Sequence, residues 1–298
     1  MRVFVTGATG AIGRRVIPSL VALGHDVTAL GRTPEKRAAL ERQGARPILV
    51  DLFDPFALRT ALEGAEAVLN LATAVPPGMR AFLPWSWKPM DRIRTHASAN
   101  LVDAALAGHD VRILVQESFA PIYADGGDRW LDESSPVRPV RYNRSTLDAE
   151  ASAGRFTRAG RTGVVLRFAL FYGPGDPFTQ MMLDSVRRGW FPLLGRPEAY
   201  TSWISHQDAA SAAVAALGLP AGIYNAVDDQ PLRRRELADG IARLLGVKPP
   251  RLLPAWAVSL AGSVGDALGR SVRISNRKLR EAGEWRPKHP SVLEGLAA

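Results

Sequence analysis

The sequence predicts an α/β fold, a doubly wound parallel sheet with a small C-terminal lobe. Three observations point there. Short, apolar, β-branched runs alternate with stretches of helical periodicity through the first 170 residues. A glycine-rich turn lies where the first run meets the first helical stretch. The 298 residues also suffice for one large core and an appended lobe.

The expected strands are Val3–Thr6, Asp26–Leu30, Arg46–Val50, Ala67–Leu71, Arg112–Gln116 and Val164–Arg167. Their apolar character suits strands covered on both faces, joined by right-handed crossovers. Beyond Gly173-Pro174-Gly175 the texture changes. Pro, Gly and Trp become frequent, one strand reads at Ile223–Ala226, and amphipathic helices read at Arg233–Leu245 and Ala255–Leu268. The expected division is a dinucleotide-binding part over 1–172 and a mainly substrate-binding lobe over 173–298, with elements returning to the sheet. An insertion from Val75 to Arg94, containing Trp85 and Trp87, follows the fourth strand. It belongs at the carboxyl edge of the sheet, where ligands bind. It reads either as a substrate lid or as a loop pinned by its tryptophans.

Composition removes several chemistries. With no cysteine there is no disulfide, no thiolate metal site and no cysteine nucleophile. The five histidines are scattered without the i, i+4 spacing of a helical zinc site, so no metal is expected. The net charge of +9 is spread along the chain among acids, with no interleaved aromatic motif. This argues for a polyanionic small molecule rather than nucleic acid. No apolar stretch reaches bilayer-spanning length, and Met1-Arg2-Val3-Phe4-Val5 runs straight into the glycine motif. The expectation is a soluble, cytoplasmic protein without a membrane partner.

Thr6-Gly7-Ala8-Thr9-Gly10-Ala11-Ile12-Gly13 places glycines at the tight turn, at the point of approach to a pyrophosphate and at the helix–strand contact. The second strand ends in Leu30-Gly31-Arg32. An NAD site usually holds an acid there for the ribose 2′-hydroxyl, whereas a guanidinium suits a 2′-phosphate, so the expected cofactor is NADP(H). Arg14 either reaches the same phosphate or is a solvated helix charge. Asp51 reads either as an acceptor for the adenine amino group or as a helix N-cap.

These residues, with Asp51-Leu52, Asn70-Leu71-Ala72, Asn100-Leu101-Val102-Asp103-Ala104-Ala105, Arg167, Tyr172-Gly173-Pro174-Gly175 and Trp203-Ile204-Ser205-His206-Gln207-Asp208, resemble the short-chain dehydrogenase/reductases. The resemblance is to their extended or atypical, NAD-dependent epimerase/dehydratase-like branch. It implies a dinucleotide across the strand ends, held by Gly7, Thr9, Gly10, Ala11, Ile12, Gly13, Arg14, Arg32, Asp51, Leu52, Leu71, Ala72, Thr73, Phe168 and Ala169. It also implies a catalytic Ser or Thr after the fifth strand, and a Tyr with a Lys four residues later. Ser118 and Tyr142 match the first two, but Thr146 stands in the lysine's place. Arg94 stands where the family often has an Asn. His206 and Asp208 are expected to hydrogen-bond structurally, and Tyr123 to pack.

The resemblance implies an NADPH-dependent reductase of a ketone or similar carbonyl, with Tyr142 as proton donor and Ser118 donating to the carbonyl oxygen. Without the lysine, Tyr142 is expected near the ordinary phenol value of ~10. The alternatives are an NADP-binding sensor that has lost catalysis, and a nucleotide-sugar epimerase or dehydratase. Trp85, Trp87, Phe119, Phe168, Phe171 and Trp203 offer apolar surface near the expected site, and the resemblance, which extends to ketoreductases of aromatic polyketides, implies a bulky, polyketide-like aromatic substrate of secondary metabolism. Relatives of this kind suggest a homodimer.

Overall fold

The computed structural model describes residues 1–254 and 256–298. Five strands lead the chain: β1 (Arg2–Thr6), β2 (Asp26–Leu30), β3 (Arg46–Ile48), β4 (Ala67–Asn70) and β5 (Ile113–Phe119). With Thr162–Phe168 and Gly222–Ala226 they form a seven-stranded parallel sheet in the order β3-β2-β1-β4-β5, then Thr162–Phe168, then Gly222–Ala226. Strand order reverses between β1 and β4, which opens a crevice at their carboxyl ends. The glycine turn lies there.

The α-helices are α1 (Gly13–Ala22), α2 (Pro34–Arg42), α3 (Pro55–Ala61), α4 (Lys88–Arg92), α5 (Ser98–Ala107), α6 (Ser145–Arg158), α7 (Pro177–Arg187), α8 (His206–Ala215), α9 (Arg234–Leu245), α10 (Ala257–Leu260), α11 (Gly262–Leu268), α12 (Arg277–Ala282) and α13 (Val292–Ala297). Side chains alternate across each strand. Val3 and Val5 enter one core with Val16, Ile17 and Leu20 of α1 and the alanines of α8. Phe4, Val68 and Leu114 enter a second with Leu58, Leu101, Val102 and Phe156 of α3, α5 and α6. A third cluster joins Met182 and Val186 of α7 to Leu237 and Ile241 of α9, around Trp203 and Tyr172.

The structure adjusts several expected bounds. The third strand stops at Ile48, since Leu49 turns to solvent. The fourth stops at Asn70. The fifth runs on to Phe119 because its register with Thr162–Phe168 holds to the pair Phe119 and Phe168. The helix expected over Ala255–Leu268 divides into α10 and α11, broken where Gly262 takes a φ of +55°, a left-handed conformation that glycine adopts at no steric cost. Ala255 itself lies outside the described residues. Arg233 serves as the N-cap of α9, its backbone N–H donating to the Glu236 carboxylate at 2.9 Å. Among the described residues, no helix is long and apolar enough to cross a membrane.

Candidate active site

The glycine turn is shaped by backbone packing. Gly7 has φ +66°, and a Cβ there would lie 2.2 Å from the Leu71 carbonyl oxygen, so the turn closes directly onto the end of β4. At Gly13 a Cβ would meet the Gly7 carbonyl oxygen at 2.2 Å, which locks α1 against the turn. Gly10 differs. It is exposed, and a Cβ would meet only the Gly7 carbonyl oxygen, at 3.2 Å. The outer surface of the turn is thus open to a ligand, beside a helix N-terminus with no acid in its first turn. This cradle fits a dinucleotide pyrophosphate.

Around it, Thr9 and Ile12 are half-buried, while Ala11, Arg14, Arg32, Asp51 and Thr73 are exposed. Arg32 follows β2 at the crevice edge. Leu71 and Ala72 are buried against Gly7. Leu52 is half-buried, and its carbonyl oxygen accepts from Asn100 Nδ2 at 3.2 Å. The N-cap alternative for Asp51 is corrected: Asp54 caps α3, accepting from the N–H groups of Phe56 and Ala57 at 3.0 Å, while Asp51 accepts from Phe53 N–H at 2.9 Å. Phe168 ends its strand and Ala169 follows it, both inside the core, with Phe168 against Phe171 at 5.6 Å between ring centroids.

Below the turn, Thr6 Oγ1 donates to Asn70 Oδ1 at 2.6 Å, and Asn70 Nδ2 donates to Gln116 Oε1 and Ser98 Oγ at 2.8 and 3.1 Å. This ties together β1, β4, β5 and α5. Every buried polar group in it has a partner.

Tyr142 lies in a 3₁₀ turn, Arg141–Asn143, just before α6 rather than within a helix. The Asn143 side chain accepts from Val140 N–H at 2.8 Å and donates to the Pro121 carbonyl at 3.2 Å, which fixes the turn. The Tyr142 ring packs on Trp87 at a centroid distance of 4.7 Å, in a cluster with Met90, Phe119, Val264 and Ala267. Only 4% of Tyr142 is exposed, and its hydroxyl has no hydrogen-bond partner. Burial pushes the phenol well above its ordinary value, with Arg94 and Arg270 opposing. The expectation of a near-ordinary phenol is corrected, because desolvation outweighs the nearby cations.

Arg94 sits in a π-helical turn, Ile93–Ala97, between α4 and α5. Its Nη1 donates to Thr146 Oγ1 at 2.7 Å, and its Nε and Nη2 grip both oxygens of Glu117 at 2.9 and 3.3 Å. The guanidinium is 3% exposed and therefore needs this pairing. It lies beside the position where the resemblance implies a lysine. Arg144 is exposed and takes no part.

The structure does not bring the Ser118 hydroxyl to the Tyr142 ring. Ser118 Oγ donates to Glu150 Oε1 of α6 at 2.5 Å, and Glu150 is held by Arg167 through contacts of 2.8 and 2.7 Å. Arg167 also donates to Tyr123 Oη at 2.9 Å, and Tyr123 donates to Asn225 Oδ1 at 2.8 Å. Burial pushes the Tyr123 phenol up to about 12 despite Arg167. The next residue along β5, Phe119, is the one that packs against the cluster holding Tyr142.

A cleft of about 610 Å³ opens over Tyr142, between Trp85, Trp87 and Lys88 of the insertion, Arg141, and Ser263 of α11. Trp87 pins the insertion, its indole N–H donating to the Ala81 carbonyl at 2.8 Å, whereas Trp85 is 64% exposed. At the lobe junction, Asp208 accepts from Ser205 Oγ and from the backbone N–H groups of Lys288 and His289 at 2.7, 2.7 and 3.3 Å. His206 stacks on Phe171 at 5.7 Å, and burial lowers its pKa.

Sequence reasoning missed Glu117 and Glu150. The signal was a carboxylate inside the apolar run Ile113-Leu114-Val115-Gln116-Glu117-Ser118-Phe119, which cannot be buried without a partner.

The sequence model of the NAD dependent epimerase/dehydratase family matches residues 3–226. The chain is 34% identical over 307 residues to a 3-diazoavenalumate denitrifying reductase of Streptomyces sp, covering 99% of each chain. It is 27% identical to 4-hydroxy-2-methyl-3-oxo-4-farnesyl-3,4-dihydroquinoline-1-oxide ketoreductase of Stigmatella aurantiaca, covering 91% of this chain and 82% of that one. Among solved structures, human epimerase family protein SDR39U1 with NADPH superposes with a TM-score of 0.80 at 22% identity, covering 100% and 98% of the two chains. That likeness speaks to the fold.

Proposed function

Because the chain belongs to the NAD dependent epimerase/dehydratase family, we propose that it is an oxidoreductase that uses NADPH to reduce a ketone or similar electrophile on an aromatic small molecule. The observation that carries this reading is Tyr142, a residue that lines a cleft and whose hydroxyl is buried without a partner. A neutral phenol in that state holds a proton ready to donate. The reductase names of the two relatives support the direction of reaction.

The open surface at Gly10, the first turn of α1 and the ends of β1 and β4 would hold the dinucleotide, and Arg32 would take its 2′-phosphate. When bound, the dinucleotide supplies the hydride. The chain contributes the rest. Trp87 and α11 cover Tyr142 and exclude water from its hydroxyl, and the Arg94–Glu117 pair holds the neighbouring polar surface in place.

The test is consumption of NADPH with a panel of aromatic ketones, supplemented by an aromatic diazo acid in view of the Streptomyces relative. Turnover is expected. Tight NADPH binding without turnover of any member would favour a sensor, and conversion of a nucleotide sugar would favour an epimerase or dehydratase.

A further inference from the structure

The walls of the Tyr142 cleft are unusual for a solvent-facing surface. Trp85 leaves 64% of its surface exposed, and Trp87, its only polar group given to the Ala81 carbonyl, adds an apolar but 7% exposed patch to the wall. Such flat apolar surface gains most from a flat, conjugated ligand.

Charge at the rim is specific too. Three ionisable side chains line the cleft besides Tyr142: Lys88, Arg141 and Asp91. Asp91 is engaged, accepting from Ser145 Oγ at 2.7 Å. Lys88 and Arg141 are exposed and make no ion pair or side-chain hydrogen bond with the described residues. Two unpaired cations against one engaged acid leave the cleft with a surplus of one positive charge. Tyr142 also lines the cleft, and its hydroxyl is a buried polar atom without a partner.

We propose that this cleft recognises an aromatic or conjugated carboxylate, its planar part lying against Trp85 and its carboxylate held by Arg141 and Lys88. This deepens the reductase reading by naming its substrate class, and rests on that reading only in taking the Tyr142 cleft as the substrate site. A single surplus charge matches a monoanion better than the diphosphate of a nucleotide sugar. A guanidinium also offers a carboxylate two parallel N–H donors, which fixes the orientation of the ligand.

The experiment is calorimetric titration of the full chain, with NADP⁺ present, using trans-cinnamate, its neutral amide cinnamamide, and UDP-glucose. Cinnamate is expected to bind about tenfold more tightly than the amide, the size of one charge-assisted contact. The double variant Lys88→Gln/Arg141→Gln should lose that tenfold advantage and bind the amide as the wild type does. Trp85→Leu should weaken both ligands. Equal binding of acid and amide, retention of the preference in the double variant, tighter binding of UDP-glucose, or no binding of cinnamate would each overturn the proposal. Binding is read here without turnover. A protein that consumes NADPH with neutral aromatic ketones but ignores the carboxylate therefore keeps the reductase reading and loses this one.

Discussion

Arg94 donates from Nη1 to the hydroxyl of Thr146 at 2.7 Å, so a guanidinium from the α4–α5 junction meets the α6 position at which the family resemblance implies a lysine. The two departures are coupled, because a lysine at 146 would place a second buried cation against the first. Glu117 already neutralises Arg94 through both its oxygens. Thr146→Lys should therefore lower stability by about 3–5 kcal/mol, the cost of an uncompensated buried charge. Adding Arg94→Asn should recover at least half of it. Urea unfolding of both variants checks this, and a Thr146→Lys single variant as stable as the wild type would show that the two sites are independent.

The same arrangement sets the reaction's response to pH. Burial raises the Tyr142 phenol above ~10, so at pH 7 fewer than about one in a thousand molecules carry a tyrosinate. With Tyr142 as the proposed proton donor, reduction would use the protonated form and oxidation of the product alcohol the ionised one. We expect reduction to be insensitive to this group between pH 6 and 9, and the oxidation rate to climb through pH 10 without a plateau. Tyr142→Phe should cut reductive turnover by about 10²–10⁴. A plateau in oxidation near pH 7 to 8 would reveal another base.

What the sequence made legible was local. The alternation of strands and helices and the glycine turn follow from patterns a few residues long, Tyr142 came from the family resemblance, and the sheet edge that collects the glycine turn follows from doubly wound topology. The hydrogen-bond partners were not legible. Glu117 inside an apolar strand announces that a cation must come, but which of the many arginines arrives is decided by tertiary packing, 23 residues away for Arg94. Ser118 illustrates a subtler failure. With the strand expected to end at Gln116, Ser118 reads as a loop residue free to face the site. Because β5 continues to Phe119, side chains alternate, and Ser118 turns to α6 while Phe119 meets the cluster holding Tyr142.

That alternation gives a prediction for Ser118. Its hydroxyl supports the Glu150 carboxylate, so Ser118→Ala should lower stability by about 1–3 kcal/mol, the cost of leaving a buried acceptor short of a donor. Turnover should stay within about fivefold of the wild type. A loss of about 10²–10³ in kcat with stability intact would instead mean that Ser118 donates to the reacting oxygen.

Arg32 stands exposed beyond β2, where the 2′-substituent of an adenosine ribose would meet it. One charge-assisted contact contributes about 1.5–3 kcal/mol, so the wild type should prefer NADPH to NADH by roughly 10- to 100-fold. Arg32→Ala should remove most of that preference by weakening NADPH alone. Parallel titrations with the two cofactors measure it, and an unchanged ratio in the variant would assign the discrimination to another residue.

Asp228 lies on the segment following Gly222–Ala226, almost fully buried, and both its carboxylate oxygens lack a hydrogen-bond partner. Burial raises its pKa well above the ordinary carboxylate value, so the folded protein keeps a proton there that the unfolded chain releases above pH ~4. The sign follows: the unfolded state binds fewer protons than the folded state, so this residue makes the fold progressively less stable as pH rises from about 4. Asp228→Asn keeps the size and removes the ionisation. The variant should match the wild type most closely near pH 4 and exceed its stability by at least about 1.4 kcal/mol at pH 7, the equivalent of one pKa unit. Urea unfolding at a series of pH values tests this. Parallel stability curves for the two proteins across that range would mean that Asp228 is ionised in the fold and has found a partner there.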